Sequence, residues 1–207
     1  EVIVTHFKAF FLGMLICIAG YVLFYIMIAF SQIYAKSAPT VSEAGYAMGL
    51  GFSPQIFTAL LMCSAISLAI TIAISGKYID IVGRRIWLIW TTFGVAIFGL
   101  ALPYFLDNGT TTSLFWFLMI GMGLIGMGYG PLASFLPELF PTHARYSGAS
   151  LTYNISGLFG ASVAAIITLP LNANYGLKGV GIYLTLNAVL SLIGLWFITE
   201  TKDKHLA

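Results

Sequence analysis

Three groups of residues in this 207-residue chain have the types and spacing to do chemistry. The first is Gly76-Lys77-Tyr78-Ile79-Asp80-Ile81-Val82-Gly83-Arg84-Arg85. A carboxylate stands four residues before two guanidinium groups, which favours charge-assisted pairing, and two glycines let a short connection turn tightly. The second is Pro137-Glu138-Leu139-Phe140-Pro141-Thr142-His143-Ala144-Arg145, where Glu138 and Arg145 bracket one short loop, with Glu200-Thr201-Lys202 further on. The third is a polar stripe of Tyr21, Tyr25 and Gln32, which fall within about 40° of one another on a helix. Two phenols and an amide can hold a small polar molecule, or pair with a neighbouring helix. Tyr129, between Gly128 and Gly130, adds another hydroxyl. Asn154 lies one turn after Ser150 and can serve a ligand or a helix backbone equally well.

Enzyme chemistry finds no support here. No His/Cys/Asp cluster has metal-ligand spacing, and no Gly-x-Ser-x-Gly elbow occurs. His6, His143 and His205 fall near one face, outside the apolar stretches. Cys17 and Cys63 lie inside apolar stretches and read as buried thiols, not as a disulfide framework. The chain is read as a non-enzyme that needs no metal and no cofactor.

The elements that position these groups follow from composition. Hydrophobic residues make up 59% of the chain and charged ones 8%, and the mean hydropathy is +0.97. Soluble domains carry roughly 25% charged residues, so the solvent of this chain is a lipid bilayer. Stretches 9–35, 44–76, 86–106, 108–137, 146–177 and 179–199 contain no Asp, Glu, Lys or Arg. A crossing needs about 20 apolar residues. Six stretches predict an all-α membrane protein of six transmembrane helices, at about 9–33, 54–74, 86–106, 114–136, 147–169 and 180–198. Ser53-Pro54 reads as N-cap and first helical position. Asp107-Asn108-Gly109 reads as a turn, and Pro170 is expected to close the fifth span. Gly130-Pro131 in the fourth span predicts a helix bend. Its other glycines, and those at Gly148, Gly157 and Gly160, suit close helix packing.

Lysine and arginine set orientation. With six spans, one face holds Lys8, Lys77, Arg84, Arg85, Arg145, Lys202 and Lys204, and the other only Lys36 and Lys178. Both termini and the 76–85 loop are therefore expected on the cytoplasmic side. The positive charges sit where topology wants them and imply no nucleic acid. Glu1 is followed almost at once by a span, so a fragment of a longer chain is expected.

Gly76-x-x-x-Asp80-x-x-Gly83-Arg84-Arg85 resembles the signature loop of the major facilitator superfamily. The segment from Pro137 through Arg145-Tyr146-Ser147-Gly148-Ala149-Ser150 is similar to a loop of its metabolite:proton symporter family, although sugar porters share much of it. Glu200-Thr201-Lys202 resembles the end of the last helix in many members. The resemblance covers the whole chain and implies the C-terminal six-helix half of a twelve-span bundle. It implies secondary active transport of a small metabolite by alternating access, with proton coupling through the N-terminal half. No acid, base or His lies deep in a span here, so a proton carrier is not expected in this half. The implied partners are a small-molecule metabolite, protons, the bilayer and the N-terminal half, in a bacterial inner membrane. The first and fourth spans are expected to line the cavity, which places Tyr21, Tyr25, Gln32 and Tyr129 there. Gly76, Asp80, Gly83, Arg84, Arg85, Glu138, Arg145 and Glu200 are expected to form a cytoplasmic gate. A sugar-porter-like uniporter and an oligomeric six-span channel or scaffold are the alternatives.

Overall fold

Local sequence signals start and stop the helices of the computed structural model, which describes residues 5–198. The first long helix, α1, is Phe7–Lys36. It winds into a π turn over Ile26–Phe30 and back. Ser53 Oγ accepts from the Ile56 N–H at 3.4 Å, and Pro54 opens α2, Pro54–Val82. Gly83, at φ 102°, separates α2 from α3, Arg84–Leu106. Thr110 caps α4, Thr111–Glu138, accepting from the Ser113 N–H at 3.2 Å.

The last helical stretch, Arg145–Phe197, is 53 residues long. At 1.5 Å per residue it would reach about 80 Å, far beyond a hydrocarbon core of about 30 Å. It is broken at Gly176, whose φ of 66° and ψ of −167° no helix accommodates. The break yields α5 (145–175), with a π turn at Leu158–Ser162, and α6 (177–197). Among the described residues the architecture is an all-α, six-helix membrane bundle, with one isolated antiparallel bridge, Val41 to Ala47, in the connection between α1 and α2.

Three expectations need correction. The segment 76–85 is helical on both sides of Gly83, not a loop, so Gly76 lies within α2, where a Cβ would meet nothing within 4 Å. The second span therefore outlasts its apolar stretch by a full turn, because Lys77 to Val82 are all compatible with a helix that has left the lipid. Pro170 does not end α5; membrane helices tolerate proline when other groups re-satisfy the freed backbone, and the stop comes at Gly176.

Helix α1 sits at the centre: over its most apolar window 56% of residues are buried, against 17% in α2. It packs on α5 and α6, while α4 joins α2 to α3, and α3 closes onto α6. Apolar burial drives none of this in lipid, so close backbone approach and hydrogen bonds must do so. Val22, Ile26, Met27 and Phe30 of α1 are fully buried with Phe117 and Leu118 of α4. The Ser191 hydroxyl of α6 enters α1, donating to the Leu15 carbonyl at 2.6 Å and accepting from the Ala19 N–H at 3.1 Å. Ser67 of α2 donates to the Met119 carbonyl of α4 at 2.9 Å, and Thr185 of α6 to the Ala96 carbonyl of α3 at 3.0 Å.

The α1–α2 connection folds over the end of the bundle opposite Arg84. Asn172 donates from Nδ2 to the Ala47 carbonyl at 3.1 Å. Tyr46 covers Gly176, leaving no room for a Cβ there. At the same end, partial burial pushes the Asp107 carboxyl above its ordinary range, and Lys178 opposes that shift.

Candidate functional site

Helices α1, α4 and α5 bring three tyrosines together. The Tyr21 and Tyr153 rings lie 5.0 Å apart, and Tyr129 and Tyr153 share the walls of two cavities. This tyrosine cluster stands where two cavities meet. One, of about 280 Å³, lies among α1, α2, α3, α4 and α5 and is lined by Cys17, Tyr21, Phe24, Thr91, Tyr129 and Tyr153 among others. The other, of about 360 Å³, lies between α4 and α5, with Tyr129 and Tyr153 shared and Arg145 and Tyr146 on its wall. Gly157 and Gly160 let α5 approach the Tyr21 side chain, and a Cβ on Gly160 would lie 2.6 Å from Tyr21 Cβ. Phenol hydroxyls donate and accept, and their rings offer apolar and cation-attracting faces, so the site can hold a small polar molecule.

Of the predicted stripe, only Tyr21 reaches these cavities. Tyr25 is half-buried against the apolar core. Gln32 is exposed. For Gln32 the π turn at Ile26–Phe30 is the reason, since its extra residue rotates everything beyond it by roughly 100° from the Tyr21 face; Tyr25 precedes that turn. Asn154 is exposed and donates to the carbonyl of Ser150 in its own helix at 2.8 Å. Tyr153, one residue earlier, was not singled out from sequence. Arg145, Ala149 and Tyr153 at i, i+4 and i+8 are the pattern that could have found it.

Helix α4 runs unbroken through Gly130 and Pro131. Pro131 has no N–H for the Met127 carbonyl; the Trp87 indole of α3 supplies one at 2.9 Å. Gly130 makes room for Ser75 of α2.

At the other focus, Asp80, Arg84 and Glu138 come together. Arg84 opens α3 and forms an ion pair with Glu138, the last residue of α4. Their side chains are 20% and 13% exposed. Asp80 in the last turn of α2 lies 3.5 Å from Arg84 and is 72% exposed. Arg85 turns instead to α6, donating from Nε to the Leu195 carbonyl at 2.8 Å and from Nη2 to that of Trp196 at 3.1 Å. These carbonyls are at a helix C-terminus, where a cation is favoured. Arg145 joins the Tyr129–Tyr153 cavity and not the ion pair. Gly83 is the hinge between α2 and α3. Glu200 lies outside the described residues.

Comparison with known proteins supplies the family. Residues 47–207 match the family model described as "Sugar (and other) transporter". A Haemophilus influenzae protein named only by the general role of metabolite transport is 89% identical over the whole chain, which covers 46% of it. The inner membrane metabolite transport protein YhjE of Escherichia coli is 38% identical over 97% of the chain and 44% of its own length. The glycine betaine/proline/ectoine/pipecolic acid transporter OusA of Dickeya dadantii is 26% identical over all of the chain and 39% of its own length. The chain thus spans about half the length, or less, of these relatives. No solved structure matches. With its all-helical membrane bundle and its match over residues 47–207, the chain belongs to the sugar (and other) transporter family of the major facilitator superfamily.

Proposed function

We propose that this chain is the C-terminal half of a secondary transporter that moves a small polar metabolite by alternating access. The observation that carries the reading is the cluster of Tyr21, Tyr153 and Tyr129 at the junction of two cavities. Transporter sites lie at the interface of two pseudo-symmetric halves, and the second half provides the facing wall. Proton coupling is assigned to that half, since the apolar stretches here carry no carboxylate. The metabolites named for OusA are small polar molecules of a size that these cavities accept. A facilitated uniporter is the second reading, favoured by that same absence of a carboxylate.

The test uses the full-length protein in proteoliposomes, with labelled proline and glycine betaine as first probes. Symport predicts uptake that collapses when a protonophore removes the pH gradient; uptake indifferent to the gradient establishes the uniporter. Tyr153→Phe removes one hydroxyl and keeps the ring. It is expected to weaken apparent substrate affinity about fivefold, the effect of one lost hydrogen bond. Wild-type affinity in Tyr153→Phe would exclude the Tyr153 hydroxyl from the substrate site.

Orientation is part of the proposal. The lysine and arginine bias read from the sequence, seven of nine on the side of Arg84, supports a cytoplasmic Arg84 end, and the name of the relative YhjE supports a bacterial inner membrane. Single cysteines replacing Lys36 and Lys178 are expected to react with an impermeant maleimide in intact cells, and one replacing Lys77 only after lysis. Labelling at Lys77 in intact cells inverts the topology.

A further inference from the structure

Pro131 leaves the Met127 carbonyl of α4 without a donor in its own helix, and its ring crowds that same carbonyl. In lipid such a carbonyl needs a partner from elsewhere in the protein. The donor is the Trp87 indole of α3, at 2.9 Å. A tryptophan one turn from the charged end of a helix ordinarily serves the membrane interface, with its ring at headgroup level and its N–H turned to water. The exposed Trp90 suits that role. Trp87 does the opposite and turns its N–H into the bundle, onto a carbonyl that a proline frees.

Neighbouring contacts fix this bond in place. The Tyr78 ring of α2 lies parallel to that of Trp87, with centroids 6.5 Å apart, and sets the plane of the indole. Thr91, one turn further along α3, donates to the Trp87 carbonyl at 3.0 Å. Its methyl lies 3.8 Å from where a Cβ on Gly128 would stand. Arg84, one turn back, pairs with Glu138 at the end of α4. Helix α3 thus grips α4 on both sides of Pro131, at Met127 and at Glu138. Tyr129 falls between Met127 and the proline, and it lines both cavities. A helix with a proline is free to bend about the missing bond. Pinning the Met127 carbonyl gives the turn that carries Tyr129 one direction relative to α3, whose Thr91 lines the same cavity.

We propose that Trp87 is a positioning residue for the candidate substrate site: its indole N–H replaces the one that Pro131 lacks and holds Tyr129 at the junction of the two cavities. Trp87 lines neither cavity, so it acts through α4. Its part in substrate binding rests on the transport reading above; its coupling to Tyr129 does not.

The test is a cycle of Trp87→Phe, Pro131→Ala and the double variant in the full-length transporter, held in lipid nanodiscs, with meta-fluorotyrosine incorporated at Tyr129. Phenylalanine keeps a ring against Tyr78 and loses the N–H. Alanine gives the Met127 carbonyl a donor in its own helix. The fluorine resonance at Tyr129 is expected to shift or split in Trp87→Phe. Trp87→Phe added to Pro131→Ala is expected to leave it where Pro131→Ala alone has it. An unmoved resonance in Trp87→Phe, or equal displacement in both backgrounds, would overturn the proposal. A Trp87→Phe protein that fails to fold is expected to be recovered by Pro131→Ala, and loss of both would overturn it too. Uptake of labelled proline and glycine betaine is measured in proteoliposomes alongside. Trp87→Phe is expected to raise KM about fivefold, as when the Tyr129 hydroxyl loses one substrate hydrogen bond, with the maximum rate unchanged. That increase is expected to vanish in the Pro131→Ala background. A wild-type KM in Trp87→Phe removes the role in substrate binding and leaves the transport reading. A responsive resonance without uptake by the wild type does the reverse: the coupling stands and the transport reading falls.

Discussion

Arg84→Ala is expected to destabilise the protein by about 3–5 kcal/mol, the penalty of stripping the partner from a buried charge. Glu138 is 13% exposed, and its Oε2 has no hydrogen-bond partner among the described residues, so Arg84 is its principal compensation. The three charges are also set against their helices. Asp80 and Glu138 lie at C-terminal ends and Arg84 at an N-terminal end, each the unfavourable side of the dipole. Their placement makes sense only through one another. Adding Glu138→Gln to Arg84→Ala is therefore expected to recover more than half of the loss. Asp80→Asn, at an exposed pair, is expected to change stability by less than about 1 kcal/mol. Denaturant titration of the full-length protein in detergent measures all three. Unfolding of Arg84→Ala at the wild-type midpoint, or no recovery in the double variant, would refute the assignment. In the alternating-access reading the same contact biases a two-state equilibrium. Spin labels at the Arg84 ends of the two halves should then show longer distances in Arg84→Ala.

Gly181→Ala is the second large effect, at about 3 kcal/mol, the upper range for overpacking. A Cβ on Gly181 would overlap the carbonyl oxygen of Gly99. That obstacle is backbone, so no side chain can rotate out of the way, and α3 and α6 must separate. Separation also strains the Thr185 bond to the Ala96 carbonyl. Gly20→Ala is the control: its Cβ meets nothing within 4 Å, and alanine is the better helix former. Equal thermal midpoints for Gly181→Ala and Gly20→Ala would contradict the close α3–α6 contact.

The crossings were legible because charges are absent from six stretches, and lipid enforces that absence. The helix ends were less so. Lys77 and Asp80 mark where α2 leaves an apolar stretch, but a helix in water continues as long as its residues allow, and Gly83 is the first that breaks it. Pro170 misled for a related reason, since a proline in lipid stops a helix less surely than a positive φ at Gly176. The two π turns leave no trace in hydrophobic pattern, and the one in α1 removes Gln32 from the face of Tyr21. The signature residues Asp80, Arg84 and Glu138 were readable as a cluster, because charged side chains at helix ends have few places to go. Tyr153 was passed over in favour of Asn154, although amides commonly satisfy their own helix, as Asn154 does. Arg145 was read with the charged group, and only the fold shows it facing a cavity.

The break at Gly176 bears on how the protein is made. A single non-helical residue separates α5 from α6, and Lys178 is the sole charge between Arg145 and Glu200. A nascent chain entering from the Arg84 side has almost nothing hydrophilic to push through the bilayer at this hairpin. One ammonium costs about 3 kcal/mol on insertion scales, little beside the apolar residues that accompany it. Helices α5 and α6 can thus insert as one unit, whereas α1 and α2 must pass the whole polar segment 37–53 between them. The last two crossings are expected to settle into lipid together, with Tyr46 of the earlier segment already waiting to cover their tip.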